Sequence, residues 1–291
     1  MEQSRVFRLE IHHTALMFEQ LYKEEWLESK ARFAFLLGMS YSVFGIFSAM
    51  VLFPDDPGMA SVAFTSLLLV PSIHTLLTME ASKMASESRF SLARLFWDHS
   101  DILTIYFFVF IGSLLTFGFF SAMWPPVATS AIFASQSKIA YFVSGRAAAS
   151  GQFMMDLLAN NARVLLICLL MSFFYGAGSV FILIWNASAW GVIFGLAAKQ
   201  SAAGATHPVL HFFYTILLVS THLVLEAGSY FFAATAGGII SKGVIREKFL
   251  SPRFNRVIQD GLYLFLLSAI FVVIAAYVEA YFTPWILATF R

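Results

Sequence analysis

From Val164 to Ala198 the chain runs for 35 residues without a charge. As one helix that run would be about 52 Å long, against a bilayer hydrocarbon core of about 30 Å. It therefore has to break, bend or return. Three more long apolar runs stand out: Phe33–Phe53, Ile102–Trp124 and Gly261–Tyr281. A fourth, Val209–Ser241, is 33 residues long and too long for one upright span. Such runs predict an all-α, polytopic helical membrane bundle with about six to seven transmembrane segments, some of them broken or re-entrant.

Composition agrees. Only 12% of residues are charged and 59% are hydrophobic, with a mean hydropathy of +0.77, where a soluble domain carries about 25% charge. Membrane β-barrel strands alternate apolar and polar residues, and no such alternation is present. A net charge of +1 sets up no field for nucleic acid, and no nucleic-acid-binding signature appears. The single cysteine, Cys168, lies in an apolar run and reads as a small packing residue. Residues 1–32 are charged ahead of the first apolar run, so no cleavable signal peptide is expected.

Taken in order, residues 1–32 mix five Lys/Arg with six Glu and suit an amphipathic helix on the membrane face. His12 and His13 are adjacent and point to different faces, which argues against a metal site. Residues 33–124 form an N-terminal transmembrane region. It has spans at Phe33–Phe53 and Met59–Met79, an acidic turn at Pro54–Gly58 and a third span ending at Trp124. Pro71 is expected to kink the second span. Between them, 80–101 reads as an interfacial helix. Residues 125–162 read as a linker with a short surface or re-entrant helix near Ala131–Val143. Residues 163–291 form a C-terminal transmembrane region. Within the long run, Asn186 marks the expected break, separating Arg163–Trp185 from a short element at Ala187–Ala198. Lys and Arg concentrate in 1–32, 80–101 and 242–256, which places those segments and the N-terminus in the cytosol of a multi-pass cell-membrane protein.

Ionisable or strongly polar side chains at membrane depth are costly and usually face an interior. Six stand out as cavity-lining candidates: Asn160, Asn161, Arg163, Asn186, His222 and Glu226. His222 and Glu226 are four residues apart and share a helix face. The alternative use of such groups is interhelical hydrogen bonding, worth about 0.6–2 kcal/mol each. Two ligands do not make a catalytic zinc site, and HExxH, GxSxG and P-loop patterns are absent; neither metal nor cofactor is expected. Ala187, Gly191 and Gly195 recur every four residues and form a small-residue face for close helix packing, within one chain or between two copies.

Three stretches carry a resemblance: FMMDLLANNARVLL (153–166), FYGAGSVFILIWNASAWGVIFG (174–195) and THLVLEAGSYFFAATAGGIIS (221–241). Their order and spacing resemble the core of the stage II sporulation protein M family. There, an Asn-Asn pair leads into a span, a Gly-rich segment leads to Asn and Gly, and a His-x-x-x-Glu segment precedes small residues. Leu223 stands where that family often has Gly after the His. The segment Trp26–Asp56 is similar to the N-terminal region of archaeal members. The resemblance implies a multi-pass cell-envelope protein. The family's namesake acts as a scaffold that holds peptidoglycan-remodelling partners.

The first functional expectation is thus a non-enzymatic membrane scaffold that recruits other membrane or envelope proteins. The second is a small permease or channel-like protein with a polar intramembrane cavity around Glu226. A dry, packed core at Glu226 favours the scaffold; a polar crevice favours the permease.

Overall fold

A computed structural model describes residues 31–83, 92–144, 151–201 and 207–285. Residues 1–30 of the expected amphipathic segment 1–32, with His12 and His13, lie outside the described residues, as do residues 84–91 of the basic stretch 80–101.

Among the described residues there are ten α-helices and no strand. They are α1 (Ala31–Leu52), α2 (Pro57–Lys83), α3 (Leu92–Asp98), α4 (Ser100–Met123) and α5 (Pro126–Ile132). Then come α6 (Ala134–Ser144), α7 (Gly151–Tyr175), α8 (Ser179–Ser201), α9 (Pro208–Arg246) and α10 (Pro252–Tyr277). Seven are long and apolar enough to cross a membrane: α1, α2, α4, α7, α8, α9, and α10 with its extension to Trp285. A chain that crosses at each of these brings the segments before α1, between α2 and α4, and between α9 and α10 to one side.

Helix association in lipid gains little from the hydrophobic effect and depends on close packing. Here the closeness comes from glycine. At Gly38 on α1 an added Cβ would lie 3.0 Å from the Val109 Cα of α4; at Gly112 on α4 it would lie 3.0 Å from the Met39 nitrogen of α1. The two helices meet backbone to backbone. The α4–α8 contact is built the same way. A Cβ on Gly191 would overlap the Leu114 carbonyl oxygen, and one on Gly195 would lie 2.6 Å from the Gly118 carbonyl oxygen. Ala187 is fully buried on the same face. Ser121 Oγ donates to the Val192 carbonyl across this contact at 2.9 Å.

Two expectations about the chain's course need correction. The long uncharged run turns at Gly176–Gly178, between α7 and α8, and Asn186 sits inside a continuous helix. Gly176 has φ +64°, a conformation glycine adopts without a Cβ clash. Asn186 needs no break because its Nδ2 donates to its own helix at Ile182 O, 2.8 Å away. Moreover, α7 begins at Gly151, inside the stretch that reads as linker, so α7 and α8 are both full spans. The Ser/Ala-rich composition of 145–162 hides that start.

The long segment from Pro208 to Arg246 is a single helix, unbroken through Glu226–Gly228. Its two halves differ. From Glu226 to Gly243 nearly every side chain is buried, whereas Leu210, Phe213 and Leu217 are exposed. Its buried half is the core of the bundle. Tyr230 is fully buried, and Phe231 packs against Tyr106 and Phe110 of α4 at ring distances of 6.1 and 5.5 Å. Pro71 lies inside α2, as the sequence indicates.

The helical segment expected near 131–143 is two short helices, α5 and α6, divided at Phe133. They cover one end of the bundle. Gln136 Nε2 donates to Gly58 O at 3.0 Å and Ser135 Oγ to Asp56 Oδ1 at 3.0 Å, tying α6 to the start of α2. Lys199 Nζ donates to Trp124 O, just past the end of α4, and to Thr129 Oγ1.

Candidate functional site

The spacing of His222 and Glu226 puts both on one face of α9, and Tyr230 extends that stripe by another four residues. All three are buried: His222 is 8% exposed, Glu226 7% and Tyr230 fully enclosed. Tyr230 Oη donates to Glu226 Oε1 at 2.8 Å, which orients the carboxyl and satisfies the phenol. His222 Nδ1 lies 2.9 Å from Thr283 Oγ1.

Thr283 belongs to a segment with unusual geometry. After α10 the chain makes one π-helical turn, Val278–Phe282, and the Thr283 amide donates to Val278 O five residues back. A π turn inserts one residue into a helix and rotates the residues after it, and such turns are frequent at functional sites. Here it places Glu279 on the cavity that holds Glu226, and it brings Thr283 to His222.

That cavity has a volume of about 730 Å³ and lies between α7, α8, α9 and the π turn. Asn160, Asn161, Asn186, His222 and Glu226 all line it, so five of the six polar residues singled out in the sequence share one space. Four of its walls are aromatic: Phe181, Trp185, Trp190 and Phe194. Met59 and Lys138 line the end nearest the 53–56 turn. Lys138 is exposed there.

Arg163 is the exception. It does not line the cavity and is exposed on α7. Two residues turn a helix by about 200°, so a side chain two positions after the inward-facing Asn161 points away from it.

Asn161 is 2% exposed. Its Oδ1 accepts from Asn160 Nδ2 at 3.2 Å, while its own Nδ2 has no hydrogen-bond partner among the described residues. Glu279 is not among the six residues that stand out in the sequence. Its signal is there: a carboxyl within the last apolar run, subject to the same cost as Glu226. Among the described residues no cluster of three or more His, Cys, Asp or Glu could hold a metal ion.

A family profile described as stage II sporulation protein M matches residues 104–284. The chain belongs to the stage II sporulation protein M family. It is also 31% identical over 132 residues to an uncharacterised protein of Methanocaldococcus jannaschii, MJ0793, covering 44% of this chain and 70% of that one. No solved structure matches. The family match extends beyond the three stretches that carry the resemblance, at both ends. It takes in most of α4 and the π turn, so the residues contributed to the cavity by α7, α8, α9 and the π turn all lie inside the sporulation protein M region. Residues 26–56, with the whole of α1, lie outside it.

Proposed function

We propose that this member of the stage II sporulation protein M family is a non-enzymatic permease-like protein that takes a small polar solute into the cavity at Glu226. The observation that carries this reading is the convergence of Glu226, Glu279, His222 and three asparagines on one open cleft between membrane helices. Burial of one carboxyl could serve the fold alone. Two carboxyls beside a buried amide with an unused donor are costly to hold for packing. Size supports the reading, since small-molecule sites typically span about 300–1,000 Å³. We place the N-terminus and the 80–101 and 242–256 segments in the cytosol, on the strength of their Lys and Arg. With seven crossings, the cavity end at Met59 and Lys138 then faces outward.

A second reading, an envelope scaffold that recruits membrane partners, is supported by family membership. A scaffold needs no solute path. Osmotic reswelling of proteoliposomes separates the two. Vesicles with the parent protein are shocked with glycerol, ethanolamine hydrochloride or sodium acetate. Solute-dependent reswelling faster than in protein-free vesicles, and lost in Glu226→Gln, supports the permease. Rates equal to protein-free vesicles for all three solutes remove it and leave the scaffold.

A further inference from the structure

The cavity's chemistry narrows what it would hold. Glu226 and Glu279 are the two carboxyl groups on its lining, and among the described residues neither is paired with a Lys or Arg. The one basic side chain on the lining with a permanent charge, Lys138, is exposed at the rim. A buried carboxylate is stable only with a counter-charge or strong donors, and Glu226 has one donor, the Tyr230 phenol. A cation bound beside Glu226 and Glu279 would supply that counter-charge. Much of the wall is carbon: Leu157, Val164, Ile182 and Ile193 line it together with the four aromatic rings. A bare metal ion would use none of that surface, and the cavity is far larger than an ion needs. Aromatic rings beside carboxyls favour an alkylated ammonium, which is drawn to ring faces and to charge together. An independent feature points to a second functional group. The Asn161 Nδ2 donor is enclosed and unpartnered among the described residues, and such a donor is costly unless a ligand acceptor meets it.

We infer that the cavity binds a small organic cation that carries both an ammonium group and a hydrogen-bond acceptor, such as a protonated amino alcohol. Glu226 and Glu279 take the ammonium, the Trp185 and Trp190 walls cover its carbon, and Asn161 donates to the hydroxyl or carbonyl oxygen. The inference rests on reading the cavity as a solute site, and it does not require transport.

The test uses the full-length protein in detergent. Trp185 and Trp190 report occupancy through intrinsic fluorescence, and thermal melting gives a second readout. Four probes vary one group at a time: ethanolamine (ammonium and acceptor), ethylammonium (ammonium alone), ethylene glycol (acceptors alone) and glycolate (acceptor and negative charge). Ethanolamine should bind best, ethylammonium more weakly, and the uncharged and anionic probes not at all. Glu226→Gln and Glu279→Gln should each weaken ethanolamine by about tenfold or more, the loss of one charge-assisted contact. Asn161→Leu should erase the preference for ethanolamine over ethylammonium while leaving ethylammonium bound. A lipid amine headgroup presents the same chemistry. A short-chain phosphatidylethanolamine run beside free ethanolamine tells the sources apart, and binding of either one supports the inference. Binding of neither, or equal binding to a Glu226→Gln/Glu279→Gln protein that melts like the parent, overturns it. Binding without reswelling keeps this inference and removes the permease. Reswelling by glycerol with no cation bound does the reverse.

Discussion

Adding one methyl group at Gly191 should weaken the fold more than any other single-carbon change in α8. The new carbon would overlap the Leu114 carbonyl oxygen, and it would lie 2.9 Å from the Gly118 nitrogen and 3.2 Å from the Phe117 Cβ. The first two are backbone atoms of α4, so no rotamer change relieves them. The helices must part, and the same movement opens the Gly195–Gly118 contact and stretches the 2.9 Å bond from Ser121 to Val192. Overpacking costs about 1–3 kcal/mol, and a lost hydrogen bond adds about 1 kcal/mol. Gly191→Ala should therefore destabilise by about 2–4 kcal/mol. Gly228→Ala is the control. Its new carbon meets only the Phe271 ring, at 3.7 and 3.9 Å, and the change should stay within about 0.5 kcal/mol. Unfolding by SDS titration in mixed micelles measures both. If Gly191→Ala unfolds at the same SDS fraction as Gly228→Ala and the parent, backbone contact does not hold α8 to α4.

Glu226→Leu should cost about 1–3 kcal/mol, because the enclosed Tyr230 hydroxyl loses its acceptor, while Glu226→Gln keeps one and should lose less; the same titration compares them. Thr283→Val removes the hydroxyl beside His222 Nδ1 and should destabilise by about 1–2 kcal/mol, and an unchanged midpoint would show that the link between α9 and the π turn is incidental. Cysteines placed at exposed Asp55 and Lys248 test sidedness in a Cys168→Ala background: an impermeant thiol reagent on intact cells should modify the first and not the second, and the opposite pattern would invert the orientation.

Much of the helical architecture is legible in the sequence because bilayer thickness converts uncharged run lengths into spans. That His222 and Glu226 share one face is legible because helical period alone sets it. The turn in the long run is harder to place, because polarity and backbone freedom point to different residues. Gly176-Ala177-Gly178 carries the stronger turn signal, and Asn186 satisfies itself on Ile182 O. Arg163 groups with Asn160 and Asn161 by proximity along the chain, although the angle around α7 separates it from Asn161. The role of Glu279 depends on the π turn, which changes rotation by one residue and leaves no periodic trace. Ala34, Gly38 and Ser42 recur every four residues on α1 as Ala187, Gly191 and Gly195 do on α8, so that face is legible in the sequence, but its partner at Gly112 on α4 becomes visible only once the helices are placed.

The central claim is a solute-accessible polar cavity inside the bundle, and thiol accessibility at Asn186 tests it most directly. Asn186 lines the cavity, whereas Val272 is 2% exposed in the core and does not. In a Cys168→Ala background, Asn186→Cys and Val272→Cys are each treated with methanethiosulfonate-ethylammonium, a small cationic reagent, in folded protein. Modification of Asn186→Cys well above Val272→Cys, slowed by ethanolamine, is the expected result. An Asn186→Cys thiol as unreactive as the core control would contradict the account.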